Sequence, residues 1–101
     1  MHVTLSFTVV PFTVAGSVAP HVARCLAILD EAGLTYRLHA NGTDVEGPWD
    51  DVFAAIRRCH EVLHAEGVDR LFTTIQVGTR RDRPTSLEDK VRRVEAIRRR
   101  S

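Results

Sequence analysis

The pattern with the clearest catalytic potential is His60-Glu61-Val62-Leu63-His64, an H-E-x-x-H sequence within a predicted helix. In metalloproteases this spacing places two imidazole zinc ligands on one helical face, with a general-base glutamate beside them. A catalytic zinc also needs a third protein ligand, and no histidine follows His64 in the chain. The apolar stripe of the helix passes through His60, which directs that face toward a core. We therefore predict incidental histidines and no metal site.

Other catalytic signatures are missing from the sequence. Ser6, Ser17 and Ser86 lack the G-x-S-x-G context of an activated serine, and no glycine-rich phosphate loop is present. Cys25 and Cys59 share no metal or redox motif and fall at apolar positions of predicted helices, which is typical of buried thiols. The sequence thus predicts a protein that is not an enzyme and carries no cofactor.

The formal net charge of +1 hides an uneven distribution of charge. Residues 1–79 carry five Lys and Arg against nine Asp and Glu, whereas residues 80–101 carry nine against four. A basic segment of this kind can bind nucleic acid. Sheets that bind RNA use two or three aromatic side chains on their open face, and only Phe72 qualifies here. We expect a solvated helix or a subunit contact, and no nucleic-acid partner.

The apolar N-terminal residues resemble a strand more than a signal peptide. No Lys or Arg precedes residues 5–16, and Val3, Leu5 and Phe7 alternate with polar residues. A membrane-spanning helix needs about 18 or more consecutive apolar residues, and no such stretch occurs. We expect a cytoplasmic protein with no membrane partner.

Hydrophobic periodicity and turn signals predict the element order β-α-β-β-α-β-α. The expected elements are a strand over 3–12, a helix from an N-cap at Ser17 to about Ala32, a hairpin over 34–47, a helix from Pro48 to about Glu66, a strand over 69–79, and a last helix opened by a capping box over Thr85–Glu88. This order predicts a single domain over residues 1–101 of the α+β class. It is a ferredoxin-like βαββαβ sandwich with an added C-terminal helix.

The dipeptide Asn41-Gly42 favours a type I′ hairpin turn. A two-residue loop at this point places Arg37 opposite Glu46 and His39 opposite Asp44. One side of the hairpin is then apolar and faces the helices. The polar side belongs to an open sheet face that is either solvated or an interface.

Several stretches together resemble the thiamine-binding protein family. They are Val9-Val10-Pro11, Gly16-Ser17-Val18, Gly42-Thr43-Asp44-Val45-Glu46-Gly47 with Trp49-Asp50, and Thr73-Thr74-Ile75 leading through Arg81-Asp82-Arg83-Pro84 to Glu88-Asp89-Lys90-Val91. The resemblance covers nearly the whole chain. It implies a ferredoxin-like fold, homo-oligomers in which dimers pair into tetramers, and binding of thiamine or its hydroxymethylpyrimidine moiety without catalysis.

Under this resemblance we expect five ligand-binding residues. They are Ser17, Thr43 and Thr74 for their hydroxyls, Glu46 for its carboxylate, and Trp49 for a flat apolar surface, which Phe72 could also supply. An aminopyrimidine needs a few polar partners and an apolar wall, and a carboxylate favours the thiazolium cation.

Each of these residues also has a purely structural explanation. Ser17 could cap a helix, Thr43 flank the turn, Thr74 favour the strand, Trp49 fill the core, and Glu46 pair with Arg37. Thr43 and Glu46 are expected on opposite faces of their strand. The alternative function is a structural or regulatory oligomerisation module without a small ligand.

Overall fold

The computed structural model of the protein describes residues 1–12, 15–84 and 86–100. Its elements are β1 (His2–Phe12), α1 (Ala19–Glu31), β2 (Thr35–His39), β3 (Gly42–Pro48), α2 (Trp49–Ala65), β4 (Arg70–Thr79) and α3 (Leu87–Arg100). The strands form one antiparallel sheet in the order β2-β3-β1-β4. The predicted element order and the ferredoxin-like α+β fold are confirmed.

The alternation of β1 decides which sheet face is covered by α1 and α2. Val3, Leu5 and Phe7 are at most 3% exposed and pack in one cluster with Leu29 of α1 and Val52 of α2. A second cluster joins the two helices to each other and consists of Cys25, Ile28, Cys59, Leu63 and Val68. Burial of apolar surface is the main stabilising contribution, about 25 cal/mol per Å². α1 and α2 therefore pack against the sheet face that carries the odd-numbered side chains of β1.

Two glycines follow the ends of α1 and α2. Gly33 follows α1 with φ of 70°, and Gly67 follows α2 with φ of 103°, the left-handed conformation that a helix C-terminus favours. At the start of α1, Ser17 Oγ accepts a hydrogen bond from the Ala19 N–H at 3.1 Å, although Val18 occupies the N-cap position. Pro48 immediately precedes α2 with ψ of 139° and is not its first helical residue.

The register of the β2–β3 hairpin differs from the predicted one by two residues. Arg37 lies opposite Asp44 instead of Glu46, and the turn consists of Ala40 and Asn41. A shift by two residues keeps every side chain on its predicted face, because the side-chain period of a strand is two. The prediction of the faces was correct and that of the cross-strand partners was wrong.

The position of Gly42 explains this register. A Cβ atom at Gly42 would lie 3.1 Å from both the carbonyl oxygen of Phe7 and Cγ2 of Thr8. Gly42 therefore permits β3 to approach β1 closely and is paired in the sheet with His39. It does not adopt the positive φ that the second residue of a type I′ turn requires.

α3 covers part of the other sheet face. The Leu87 N–H donates a hydrogen bond to Glu46 Oε2 at 3.3 Å, which joins the first turn of α3 to β3. Ser86 caps the helix, since its Oγ accepts from the Asp89 N–H at 3.1 Å. Thr85, the first residue of the predicted capping box, lies outside the described residues.

The rest of α3 points into solvent. Val91 and Val94 of its apolar stripe are 45% and 58% exposed. Glu88 and Arg92 form an ion pair at 3.0 Å along the helix, and Glu95 pairs with Arg98 at 3.0 Å. None of the described residues of Leu87–Arg100 is buried.

The longest of the described helices, α2, has 17 residues. Across the described ranges, no helix has both the length and the apolar character that a membrane crossing requires.

Candidate functional site

A cavity of about 500 Å³ lies between the N-terminal half of α1 and the β2–β3 turn. Small-molecule sites typically have volumes of roughly 300–1,000 Å³. The cavity exists because three separate segments meet there: the second half of β1, the start of α1, and the tip of the hairpin. Its described lining residues are Phe7–Val10, Ser17–Ala19, Val22, Ala23, Cys25, Leu26 and Leu38–Thr43.

The walls of the cavity are mainly apolar. Its apolar lining residues include Val22 and Leu26 from α1, Leu38 from β2, and Phe7 and Val9 from β1. Walls of this kind favour a flat or apolar ligand, and a few polar groups then fix its orientation.

Three residues with hydroxyl groups are among the described lining residues: Thr8, Ser17 and Thr43. Thr8 lies opposite Thr74 and its side chain belongs to the open sheet face, which leaves Ser17 and Thr43 for the cavity. Ser17 Oγ accepts from the Ala19 N–H and therefore keeps its own O–H free to donate. Thr43 is only 4% exposed, yet no side-chain hydrogen bond joins its hydroxyl to any residue within the described ranges. Within the described residues, every side-chain nitrogen or oxygen that solvent does not reach has a hydrogen-bond partner, so the Thr43 hydroxyl is reached from the cavity that it lines.

His39 lies in the cavity lining at the tip of the hairpin, and its imidazole is fixed beside Asp44 on the open sheet face. The Asn41 backbone N–H donates to His39 Nδ1 at 3.3 Å, so the proton of the neutral ring lies on Nε2. Nε2 is 3.2 Å from Asp44 Oδ1 and donates to it. Sequence reasoning missed His39 and Asn41 as cavity residues. The only available signal was their position beside a tight turn.

Glu46 lies on the opposite sheet face, away from this cavity. Its side chain is 12% exposed, and Oε2 is 3.3 Å from both His2 Nε2 and the Leu87 backbone nitrogen. The alternative that Glu46 pairs with Arg37 is wrong, because Arg37 lies opposite Asp44. Glu46 instead joins α3 to the sheet.

Trp49 and Thr74 are also placed elsewhere. The Trp49 ring lies 4.6 Å from that of Phe53, measured between centroids, and packs against the main core. Thr74 lies opposite Thr8 on the exposed part of β4. The cavity therefore brings together two of the five predicted residues, and the other three lie outside it.

The two histidines of the H-E-x-x-H sequence connect α2 to its neighbours. His60 Nε2 lies 2.5 Å from Thr73 Oγ1 of β4. His64 Nδ1 donates to the Val68 carbonyl at 2.7 Å, and the two rings are 6.3 Å apart. Within the described ranges, no group of three or more potential metal ligands converges.

The environment of His60 makes stability depend on pH. Partial burial, together with neighbouring His64, lowers the pKa of His60 below its usual 6.5. The unfolded chain therefore takes up a proton in a range where the folded protein does not, and the unfolding free energy decreases as pH falls below about 6.5. We expect urea unfolding at about pH 7.5 and about pH 5.5 to show this decrease, and His60→Gln to reduce it. The matched control is His21→Gln. A pH dependence that is unchanged in His60→Gln would contradict this prediction.

Comparisons with known proteins give a consistent result. A family model described as thiamine-binding protein matches residues 5–95. A UPF0045 protein of Synechocystis sp. is 47% identical over 95 residues, which cover 94% of this chain and 78% of that relative.

Solved structures share the fold. A hypothetical protein of Methanocaldococcus jannaschii superposes with a TM-score of 0.85 at 22% identity, covering 93% of this chain and 96% of that one. A Thermotoga maritima protein with a candidate role in thiamine biosynthesis or salvage superposes with a TM-score of 0.80 at 20% identity. The match covers 93% of this chain and 99% of that one. At these identities the similarity is evidence for the fold alone.

Proposed function

The chain belongs to the thiamine-binding protein family, and from this premise we propose that it binds thiamine or its hydroxymethylpyrimidine moiety without catalysis. The observation that carries the proposal is the apolar cavity of about 500 Å³ lined by the hydroxyls of Ser17 and Thr43. An aromatic pyrimidine ring fits between apolar walls, and its amino group and ring nitrogens need the few hydrogen bonds that these hydroxyls can form.

The charge of the cavity favours the pyrimidine half of the ligand. No carboxylate occurs among its described lining residues, and Asp44, which follows the lining residue Thr43 in β3, is engaged by His39. A thiazolium cation therefore finds no direct counter-ion there, whereas the neutral pyrimidine needs none. A role for Glu46, Trp49 and Thr74 in ligand binding stays a prediction.

Binding without catalysis agrees with the state of the His39 imidazole, which Asp44 holds on the open sheet face. Both nitrogens of His39 are engaged, by the Asn41 N–H and by Asp44. A general base must have a nitrogen that can reach the substrate proton. The imidazole thus serves to fix the turn at the edge of the cavity.

Titration calorimetry tests the proposal directly. We expect heat of binding for both thiamine and hydroxymethylpyrimidine, with most of the affinity retained by the pyrimidine alone. If neither compound gives heat at millimolar concentration, the proposed function is wrong. Retained self-association in that case supports the alternative, a structural or regulatory oligomerisation module.

We also propose that the protein is a cytoplasmic homo-oligomer, a dimer or a tetramer. Apolar side chains on two surfaces support this. Val91 and Val94 are exposed on α3, and Val10, Phe12 and Phe72 are exposed at the far end of the open sheet face. Solvent-exposed apolar groups in one patch are typical of interaction surfaces.

The charge of α3 gives this assembly an expected salt dependence. Residues 80–101 carry the positive excess and residues 1–79 the negative one. If α3 contacts the acidic part of a neighbouring copy, salt screens the attraction, with a Debye length of about 10 Å at 0.1 M. We expect light scattering to show a lower average mass at high ionic strength, and a mass independent of salt would contradict the charge-based contact.

A further inference from the structure

Two thiols meet where α1 packs against α2. Cys25 of α1 is 3% exposed and Cys59 of α2 is fully buried, and neither forms a disulfide. Both belong to the same small core cluster, in which α1 packs against α2. The cluster therefore brings together two thiols from facing helices, and a disulfide between them would join α1 to α2.

Only one of the two thiols lines the cavity. Cys25 belongs to the cavity wall together with Val22 and Leu26, whereas Cys59 is fully buried and absent from the described lining. A small molecule that enters the cavity thus reaches Cys25 first. Most buried cysteines lack such a path, which is why they are inert.

The environment of the pair gives the two thiols different reactivity. The hydrogen bond from Cys59 lowers the pKa of Cys25, and the guanidinium of Arg24 acts in the same direction. The same hydrogen bond and burial raise the pKa of Cys59. Because Cys25 lines the cavity and the thiolate is the reactive form, Cys25 is the attacking thiol of the pair and Cys59 is the second to react.

We propose that Cys25 and Cys59 form a reversible disulfide between α1 and α2, with a small disulfide in the cavity as the oxidant. The Cys25 thiolate attacks one sulfur of the reagent R–S–S–R, a bond forms between Cys25 and that sulfur, and the other sulfur leaves as a thiolate. Cys59 then loses its proton and attacks Cys25 Sγ, which expels the second thiolate. Two protein thiols are oxidised, and one small disulfide is reduced to two small thiols.

This pair also connects thiol chemistry to the ligand. Cys25 is part of both the thiol pair and the cavity wall, so a bound ligand blocks the path of the oxidant. The disulfide in turn draws the Cys25 side chain toward α2 and alters the cavity wall. This connection, unlike the disulfide itself, rests on the proposed function.

The first experiment uses the unmodified protein and oxidised glutathione. We expect the intact mass to fall by two hydrogens, free thiols to fall from two to none per chain, and peptide mapping to show Cys25 joined to Cys59. A reducing agent should restore both thiols. If both thiols remain free while the protein stays folded, the proposal is overturned.

Single variants test the order of the two steps. Cys59→Ala should stop at the mixed disulfide and gain one glutathionyl group at Cys25. Cys25→Ala should gain none, because Cys59 is fully buried and absent from the described cavity lining. An equally rapid adduct in Cys25→Ala would overturn the path through the cavity. The result for the unmodified protein does not depend on whether either variant folds.

Thiamine separates this inference from the proposed function. If thiamine occupies the cavity, its presence should slow the glutathionyl adduct of Cys59→Ala at least several-fold. Disulfide formation in the unmodified protein that thiamine does not slow would support the thiol pair and count against the proposed location of the ligand.

Discussion

Replacing Thr43 by valine is expected to weaken the binding of hydroxymethylpyrimidine and thiamine roughly tenfold or more, with the fold intact. Valine keeps the shape of the side chain and removes the hydroxyl, so a ligand group that it bonds is left unpaired. Such a loss costs about 1–3 kcal/mol, and each 1.4 kcal/mol corresponds to about tenfold in affinity. The Thr43 hydroxyl has no hydrogen-bond partner among the described side chains. The free energy of unfolding in urea should therefore change little. Calorimetric titration measures the effect.

Thr74→Val is the matched control for this experiment. It makes the same chemical change in a strand, at an exposed position outside the cavity. We expect its affinity to equal that of the unmodified protein. If Thr74→Val loses affinity and Thr43→Val does not, the ligand binds on the open sheet face and the cavity is not the site.

Replacing Gly47 by alanine is expected to lower the unfolding free energy by about 2–3 kcal/mol. Gly47 has φ of 154°, and a Cβ there would lie 2.8 Å from Leu34 Cδ2 and 3.4 Å from Val52 Cγ2. Backbone conformations that side chains rarely adopt cost about 1–3 kcal/mol, and overpacking a core costs about as much. Because Val52 packs in the core cluster between α2 and the sheet, we expect the substitution to destabilise that cluster. Urea unfolding at neutral pH measures it.

Gly33→Ala separates the two contributions. Gly33 also has a positive φ, of 70°, but a Cβ there meets nothing within 4 Å. We expect a loss of only about 1 kcal/mol, from backbone conformation alone. Equal losses in the two variants would mean that the contact with Leu34 is relieved at no cost.

The fold could be predicted because its signals are local. Alternation along β1 and the left-handed glycines after α1 and α2 depend on neighbouring residues alone. The hairpin register could not be predicted in the same way, because a slip by two residues leaves the pattern of faces unchanged. The actual register is set by the close approach of Gly42 to β1, a contact between strands far apart in sequence.

The candidate site was predictable only in part. The resemblance pointed to Ser17 and Thr43, which line one cavity, and also to Glu46, whose carboxylate instead holds the start of α3. His39 was expected only as an ion-pair partner of Asp44, and that contact forms although the register differs. A cavity built from three distant segments has no signature along the chain. The lining residues can be identified only when the position of the β2–β3 turn is known.

The slight attachment of α3 divides the protein into two units of very different local stability. Isolated helices of fewer than about 12–15 residues are marginal in water, and α3 has 14 residues, with none of its described residues buried. Its local unfolding therefore breaks little beyond the Ser86 cap, the bond to Glu46 and a few surface ion pairs. Its backbone amides should exchange with solvent through local opening, while those of β1 exchange only when the whole sheet unfolds.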